Sequence, residues 1–413
     1  MKSALGTLIL ILTVTAAASA APRKTIRADR KPISGSYIVT LADDALSGAR
    51  VRQLAHDLAR EYNGKVIHTY DAVLGGFAVR MTRADAERML GDVRVEGVAE
   101  DGVPPAPTAV QGPPVSNALD RIDQTILPLD GTYGYDYTGA GVTIFVIDTG
   151  ITPHPELGSR LIGARNFWTN HGQVNNPNDV TECYPHGSGV AGVAAGSIHG
   201  VAKNAYIYSV KAYGCTVEQG SSSDYIAAVN WIAAEKRADP TRRMVATMSL
   251  IANPNPSLDA ASIDLVAAGV PFTVSAGNNN HGDACAWSPG VVGNPNNVAV
   301  NPAGLSVITV GASDPLDDTA APFTNIGPCL DLFAPGMNMT TLNDGETEGT
   351  SVATPLVAGV AALRLEMEPA LTATQVENAI KGYASTGRLT DLGTGSPNLL
   401  LYSHTRKRRA CCS

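Results

Sequence analysis

Positive charge is in short supply in this chain, and long apolar runs are missing from almost all of it. Its 413 residues hold 30 Lys and Arg against 38 Asp and Glu, a formal net charge of −8. From residue 111 onward the counts are 16 against 26, even with Arg406-Lys407-Arg408-Arg409 near the end. An acidic body of this kind argues against nucleic acid or an anionic membrane as a partner. Beyond residue 20 no apolar stretch approaches the roughly 20 residues that a membrane helix needs. The opening segment has a basic start at Lys2, an apolar run from Leu8 to Leu12, and Ala18-Ser19-Ala20 in the small-x-small pattern of a cleavage site. Residues 1–20 are therefore expected to be a signal peptide, too short to span a membrane and with no nearby cysteine to carry a lipid. A secreted, extracellular protein follows. Its six cysteines are expected to pair in an oxidising compartment.

The length allows two or more domains. Residues 36–102 read as a small unit. Tyr37 to Leu41 is strand-like, Val51, Leu54 and Leu58 recur at helical spacing, and Lys65 to Tyr70 and Gly76 to Met81 are strand-like again. A short helix around Ala84 to Leu90 and a strand near Val93 to Val98 complete a βαββαβ order, the split-βαβ, ferredoxin-like α+β arrangement. No Ser-His or Cys-His grouping there suggests catalysis. Pro104-Pro105-Ala106-Pro107 and Gly112-Pro113-Pro114 read as an exposed linker, open to nicking.

Residues 111–404 have a different rhythm. Apolar strand candidates at Val142 to Ile147, Ala205 to Val210, Met244 to Leu250, Val270 to Ser275 and Leu305 to Val310 alternate with helix candidates at Tyr225 to Arg237 and Leu258 to Ala268. This pattern predicts an α/β fold, a doubly wound parallel sheet with helices on both faces. Functional residues in such sheets gather beyond the carboxyl ends of the strands.

Four polar residues occupy such positions. Ser351 opens an almost uncharged helical run (Val352, Leu356, Val360, Leu363) that should be buried on all sides. A serine in a first turn lies among unpaired N–H groups that favour negative charge. It could simply cap the helix, as many serines do, but capping does not account for Pro355, which removes a helical hydrogen bond. Asp148 follows the first strand, His186 opens a run of small residues, and Asn278 follows Ser275-Ala276-Gly277. Singly, these read as a turn aspartate, a surface histidine and a loop amide. Together they supply a nucleophile, a base, an orienter for the base, and a donor for an oxyanion.

Four segments then point to one family. Val146-Ile147-Asp148-Thr149-Gly150-Ile151, His186-Gly187-Ser188-Gly189-Val190-Ala191-Gly192, Ser275-Ala276-Gly277-Asn278 and Gly349-Thr350-Ser351-Val352-Ala353-Thr354-Pro355 resemble, in order, the signature blocks of the subtilases, nearest the proteinase K-like branch. The resemblance runs from about Leu119 to Asn398 and implies a subtilisin-like fold, with residues 21–110 as inhibitory propeptide and linker. It implies Ser351, His186 and Asp148 as catalytic residues, with Asn278 and the Ser351 N–H as oxyanion hole. Ser249, Leu250, Ile251, Ala276 and Gly277 would bind substrate. It also implies the disulfides Cys183–Cys215 and Cys285–Cys329, and Asp331 as a carboxylate ligand of a structural calcium, beside an apparent insertion from Gly290 to Asn301. No cofactor is expected for catalysis.

The sequence departs from the family at several places. Ser188 and Gly189 stand where threonine and a second histidine are usual, and Val352 and Leu356 where methionine and histidine are usual. Ile251 and Ala252 replace glycines along the edge where substrate would add as a strand. Val217-Glu218-Gln219-Gly220 lacks the glycine-rich pattern of the opposing edge.

The expected protein is a secreted serine endopeptidase, made as an autoprocessed zymogen and monomeric. It would act on polypeptides and be inhibited by its own propeptide, and residues 405–413 form a basic tail with Cys411 and Cys412 unassigned. The alternative is a non-catalytic or narrowly specific binding protein on the same scaffold. A lipase-type hydrolase, suggested by Gly349-Thr350-Ser351-Val352-Ala353, is rejected because only His404 follows Ser351.

Overall fold

The computed structural model describes residues 25–26, 32–42, 47–70, 75–102, 109–113, 116–169, 176, 179–215, 220–293, 304–342 and 346–404. The expected signal segment, Pro104 to Pro107 and the tail with Cys411 and Cys412 lie outside them. The chain divides into two compact units between Ala106 and Pro107.

In the first unit, strands β1 (Thr25–Ile26), β2 (Pro32–Leu41), β3 (Lys65–Tyr70), β4 (Gly76–Arg80) and β5 (Val95–Gly102) form one sheet in the order β1-β5-β2-β4-β3. Helices α1 (Gly48–Glu61) and α2 (Arg83–Leu90) supply the rest of the βαββαβ order. Helix α1 buries Val51, Leu54, Ala55, Leu58 and Ala59, the stripe that a 3.6-residue period puts on one face. Thr82 caps α2 by accepting the Asp85 N–H. Val39, Phe77, Val79, Met89 and Val95 complete the core, each large side chain worth about 1.5–3 kcal/mol of burial.

The second unit is built on a nine-stranded sheet. Its strands are β8 (Val142–Asp148), β9 (Leu161–Asn166), β10 (Tyr206–Lys211), β11 (Arg243–Met248), β12 (Phe272–Ser275), β13 (Ile308–Ser313), β14 (Leu332–Pro335), β17 (Ser385–Thr386) and β18 (Leu399–Leu400). They run in the order β17-β18-β14-β13-β12-β11-β8-β10-β9, parallel except for the β17–β18 pair. Two small ribbons flank it, β6 (Ala109–Gln111) with β7 (Tyr133–Tyr135), and β15 (Met339–Thr340) with β16 (Glu346–Thr347). The helices are α3 (Asn117–Ile122), α4 (His186–Ala195), α5 (Ser222–Ala238), α6 (Pro256–Ala267), α7 (Thr350–Met367) and α8 (Ala373–Tyr383).

Strand β8 shows how both faces are covered. Val142, Ile144 and Val146 pack with α4 and α7, whereas Phe145 and Ile147 point the other way, against α5 and α6. The side-chain period of two makes this split unavoidable in an apolar central strand. Helix α7 is buried from Val352 through Leu365, as its sequence required. Chain order reverses at β8: β10 lies on one side and β11 on the other. Residues that follow β8 and β11 thus meet at a switch point of the sheet.

Three strands of this sheet depart from expectation by two residues or more; β12 begins at Phe272 rather than Val270. β11 stops at Met248 rather than Leu250, because Ser249 bonds to helix α7 instead. The strand expected from Leu305 starts at Ile308, and the Ser306 hydroxyl turns to Glu377 at 2.7 Å.

Candidate active site

Helix α7 is entered through Gly349, whose φ of +142° is costly for any residue with a Cβ. Ser351 comes second in the helix, partly exposed in an otherwise buried segment. Pro355, four residues on, has no N–H to give to the Ser351 carbonyl. The Ser249 hydroxyl donates to that carbonyl instead, at 2.8 Å, so the helix passes through the proline without an orphaned acceptor. In return the Ser351 hydroxyl donates to the Ser249 carbonyl at 3.2 Å. Ser249, expected as a substrate contact, is therefore first of all the tie between the end of β11 and the serine helix.

Asn278 lies just past β12. Its Oδ1 accepts from the Thr350 N–H at 3.0 Å and the Thr350 hydroxyl at 2.9 Å, and Thr350 Oγ1 accepts from the Gly277 N–H at 3.2 Å. With Oδ1 engaged, Nδ2 is left facing the serine. A Cβ placed on Gly349 would lie 3.3 Å from Asn278 Nδ2 and 3.6 Å from the Ser351 nitrogen, so both donors border one small space. Sequence reasoning missed Thr350; its place directly before the serine was the available signal.

Asp148 ends β8 with its side chain 1% exposed. Its Oδ1 lies 2.7 Å from His186 Nδ1 and accepts the Thr149 N–H at 2.8 Å. His186 opens α4 and is 24% exposed. Burial lowers its pKa, but the Asp148 charge and hydrogen bond, with a further contribution from Glu182, outweigh this and leave it raised. Strand register brings Asp148 beside the tie that holds the serine helix: Met248 pairs with Ile147, so Ser249 and Asp148 leave adjacent strands at the same edge.

The departures from the family pattern have local explanations. A Cβ on Gly189 would meet Thr341 at 3.5–3.8 Å, in ordinary contact, so Thr341 is the neighbour that borders this position. Leu356 is fully buried and Val352 6% exposed, as apolar helix positions. The Ile251 δ-methyl lies 2.9 Å from a Cβ placed on Gly277, so it packs directly against the 276–278 turn. Ala252 forms an antiparallel bridge with Ser288. Of the opposing edge, Val217 to Gln219 lie outside the described residues, and Gly220 pairs with Tyr213.

Cys183–Cys215 and Cys285–Cys329 are bonded, with Cα separations of 5.0 and 5.3 Å. The first anchors the loop three residues before His186. Asp331 corrects an expectation. Its Oδ1 takes the Lys381 ammonium at 2.8 Å and its Oδ2 accepts the Thr309 N–H at 2.8 Å. Lys381 also binds Glu377 at 3.0 Å. An ammonium holds the place of a cation, so the residues here do not fit a calcium site on Asp331. No cluster of three His, Cys, Asp or Glu suited to a metal occurs among the described residues.

Comparison with known proteins identifies the families of the two units. Residues 139–400 match the subtilase family, and residues 36–103 match the peptidase inhibitor I9 family. "Alkaline serine exoprotease A" of Vibrio alginolyticus is 38% identical over 353 residues, covering 83% of this chain but 61% of its own length. "Extracellular serine proteinase" of Thermus sp. (strain Rt41A) is 38% identical over 346 residues, 82% of this chain and 78% of that one. "Proteinase R" of Parengyodontium album is 32% identical over 393 residues, 93% and 92% of the two chains. The crystal structure of a cold adapted subtilisin-like serine proteinase, 37% identical, superposes on 70% of this chain and 98% of its own with a TM-score of 0.61.

Proposed function

The chain belongs to the subtilase family, and from that premise we propose that Ser351, His186 and Asp148 hydrolyse peptide bonds through an acyl-enzyme. The observation that carries this is the 2.7 Å Asp148–His186 pair at the strand edge from which Ser249 holds Ser351. The Ser351 oxygen attacks the scissile carbonyl as His186 Nε2 takes its proton. The pair with Asp148 fixes Nδ1 as the protonated nitrogen and stabilises the imidazolium. The tetrahedral oxyanion lies between the Asn278 amide and the Ser351 N–H. His186 returns the proton to the leaving amine; it then takes a proton from the water that attacks the acyl carbon and gives it to the Ser351 oxygen as the acid leaves. Every proton in the cycle is handled by His186, so no cofactor is called for.

Ser249, Leu250, Ile251, Ala276 and Gly277 form the substrate-binding edge in this reading. With the Ile251 δ-methyl against Gly277, the space beside the reacting carbonyl suits a small side chain, a narrow specificity rather than a broad one.

Residues 21–110 act as an intramolecular inhibitor and linker, consistent with the I9 match at 36–103, and residues 111–404 as the catalytic domain. The signal segment at 1–20 directs export, and the related exported proteases favour this. No described helix is long and apolar enough to cross a membrane. The enzyme works as a monomer, with polypeptide as its substrate.

One pair of proteins tests the reading. Wild-type precursor should lose residues 21–102 and label at Ser351 with a fluorophosphonate probe. Ser351→Ala precursor, expressed without other proteases, should fold, stay intact and take no label. Release of the propeptide from Ser351→Ala at the wild-type position and rate would refute it.

A further inference from the structure

One carboxylate close to the Asp148–His186 pair has no part in the steps above. We infer that Glu182 is a second, positioning carboxylate for His186, locking the strand end that carries Asp148 to the helix start that carries His186 and adding negative charge beside the imidazolium. This rests on the reading of His186 as the proton carrier.

The geometry is a clamp of hydrogen bonds between two elements. From the helix side, the Ser188 N–H donates to Glu182 Oε1 at 2.7 Å and the Ser188 hydroxyl donates to Oε2. From the strand side, the Thr152 N–H and hydroxyl reach Oε2 at 3.1 and 2.9 Å, and the Thr149 hydroxyl lies 3.5 Å from Oε1. Ser188 Oγ also accepts from the Thr152 N–H at 2.9 Å. A neighbouring bridge runs through Thr149, whose hydroxyl donates to the Tyr184 carbonyl at 2.8 Å and accepts the Gly187 N–H at 3.0 Å. The N–H groups of Gly187 and Ser188 belong to the first turn of α4, where no helical partner exists and an anion is favoured.

Only an acceptor with two oxygens suits this set of donors. A glutamine would turn an NH₂ group toward at least one of them. The fit is also tight. A Cβ on Gly150 would come within 3.0 Å of the Val180 carbonyl and 3.3 Å of Glu182 Cα, and one on Gly187 within 2.1 Å of the Gly150 carbonyl. Slack in the clamp therefore moves His186 relative to Asp148. Ser188, a departure from the family pattern, is the residue through which Glu182 grips the helix.

Several charged groups share this surrounding. His186 feels the charges of Asp148 and Glu182, and its ring lies nearly parallel to that of Tyr184, 6.2 Å away. Lys211 donates to the Thr181 carbonyl and feels the charges of Asp179 and Glu182, and Tyr225 feels that of Asp148. Both carboxylates near His186 hold its proton, so losing Glu182 must lower the pH at which His186 becomes a free base.

Glu182→Gln, Glu182→Asp and Ser188→Ala test this, each matured enzyme counted with the serine probe before kinetics, with the unprocessed, unlabelled Ser351→Ala precursor as the control. Glu182→Gln should lower kcat by about tenfold to a hundredfold with KM near wild type, the cost of a misplaced catalytic group. Its acid limb in kcat/KM should move down by at least about half a pH unit. Glu182→Asp, which keeps the charge, should restore the acid limb and part of kcat. Ser188→Ala should lower kcat and leave the acid limb in place; if Glu182→Gln does not fold, these two decide. A wild-type kcat and acid limb in Glu182→Gln, or equal losses in the Gln and Asp variants with no shift in the limb, would overturn the inference. Activity surviving in Ser351→Ala would instead bring down the underlying reading of the site.

Discussion

Replacing Lys381 by Met should destabilise the larger unit sharply, and more at alkaline than at acid pH. Lys381 is bonded to both Asp331 and Glu377, at 2.8 and 3.0 Å, and these carboxylates are 2% and 5% exposed. Burial disfavours the ammonium, but Asp331 and Glu377 outweigh it and hold the Lys381 pKa above the ordinary range. Methionine keeps the packing and removes the charge. Breaking a buried pair from one side costs about 3–5 kcal/mol. Thr309 and Ser306 still donate to the two carboxylates, so about 3 kcal/mol is the better figure. In a unit of this size that corresponds to a fall in Tm of about 6–12 °C. In the parent, burial and the neighbouring Glu377 charge outweigh Lys381 and the Thr309 N–H and raise the Asp331 pKa to about 7; without Lys381 the folded pKa lies further above the unfolded value of about 3.9. The folded state then binds more protons than the unfolded one, so its stability falls as pH rises between the two values. Because the parent already ionises Asp331 only near pH 7, the deficit should be small well below that pH and grow as pH rises above it. Thermal and urea unfolding of Lys381→Met and its parent, both in the Ser351→Ala background to prevent autolysis, would measure it. A Tm change under about 2 °C at pH 8, or a deficit independent of pH, would refute the reasoning.

Three further outcomes are expected. Asn278→Ala should lower kcat with KM nearly unchanged, as steady-state kinetics on a peptide substrate would show; the loss of about 10²–10³ known for the equivalent donor in subtilisin sets the scale. Because Asn278 Oδ1 also holds Thr350, Tm should fall with it. Ile251→Gly should raise kcat/KM for peptides with a large side chain at the cleaved bond by about 10–200-fold relative to alanine, and a peptide-library profile identical to wild type would contradict the narrow pocket. In the smaller unit, Asp92 accepts from the Arg94 side chain and backbone and from Tyr62, and these bonds, Arg94 foremost, hold its carboxyl below the ordinary range. That stability is complete above the unfolded pKa of about 3.9 and fades as pH falls toward the lower folded value. Asp92→Asn should therefore cost about 1–2 kcal/mol at pH 7, with the gap closing in acid, as hydrogen exchange of first-unit amides in the Ser351→Ala precursor would register.

Much of this protein was legible in its residues alone. The alternation of apolar strand candidates with helix candidates, the apolar run of α7 and the order of the four blocks identify a doubly wound sheet and place Asp148, His186, Asn278 and Ser351 at strand ends and helix starts. These are local properties, set by which side chains can be buried at each period. The partners of those residues were not legible, because they come from segments far apart in the chain. Ser249 reaches the Ser351 carbonyl across 102 residues to replace the bond that Pro355 cannot make, and nothing near Pro355 announces it. Asp331 resembled a calcium ligand until Lys381, 50 residues later, proved to carry the positive charge. Nothing in the sequence singles out Glu182, whose donors come from the segment after β8 and from the start of α4. Sequence pattern reports what each segment buries, whereas hydrogen bonds and ion pairs depend on which segments the tertiary structure sets side by side.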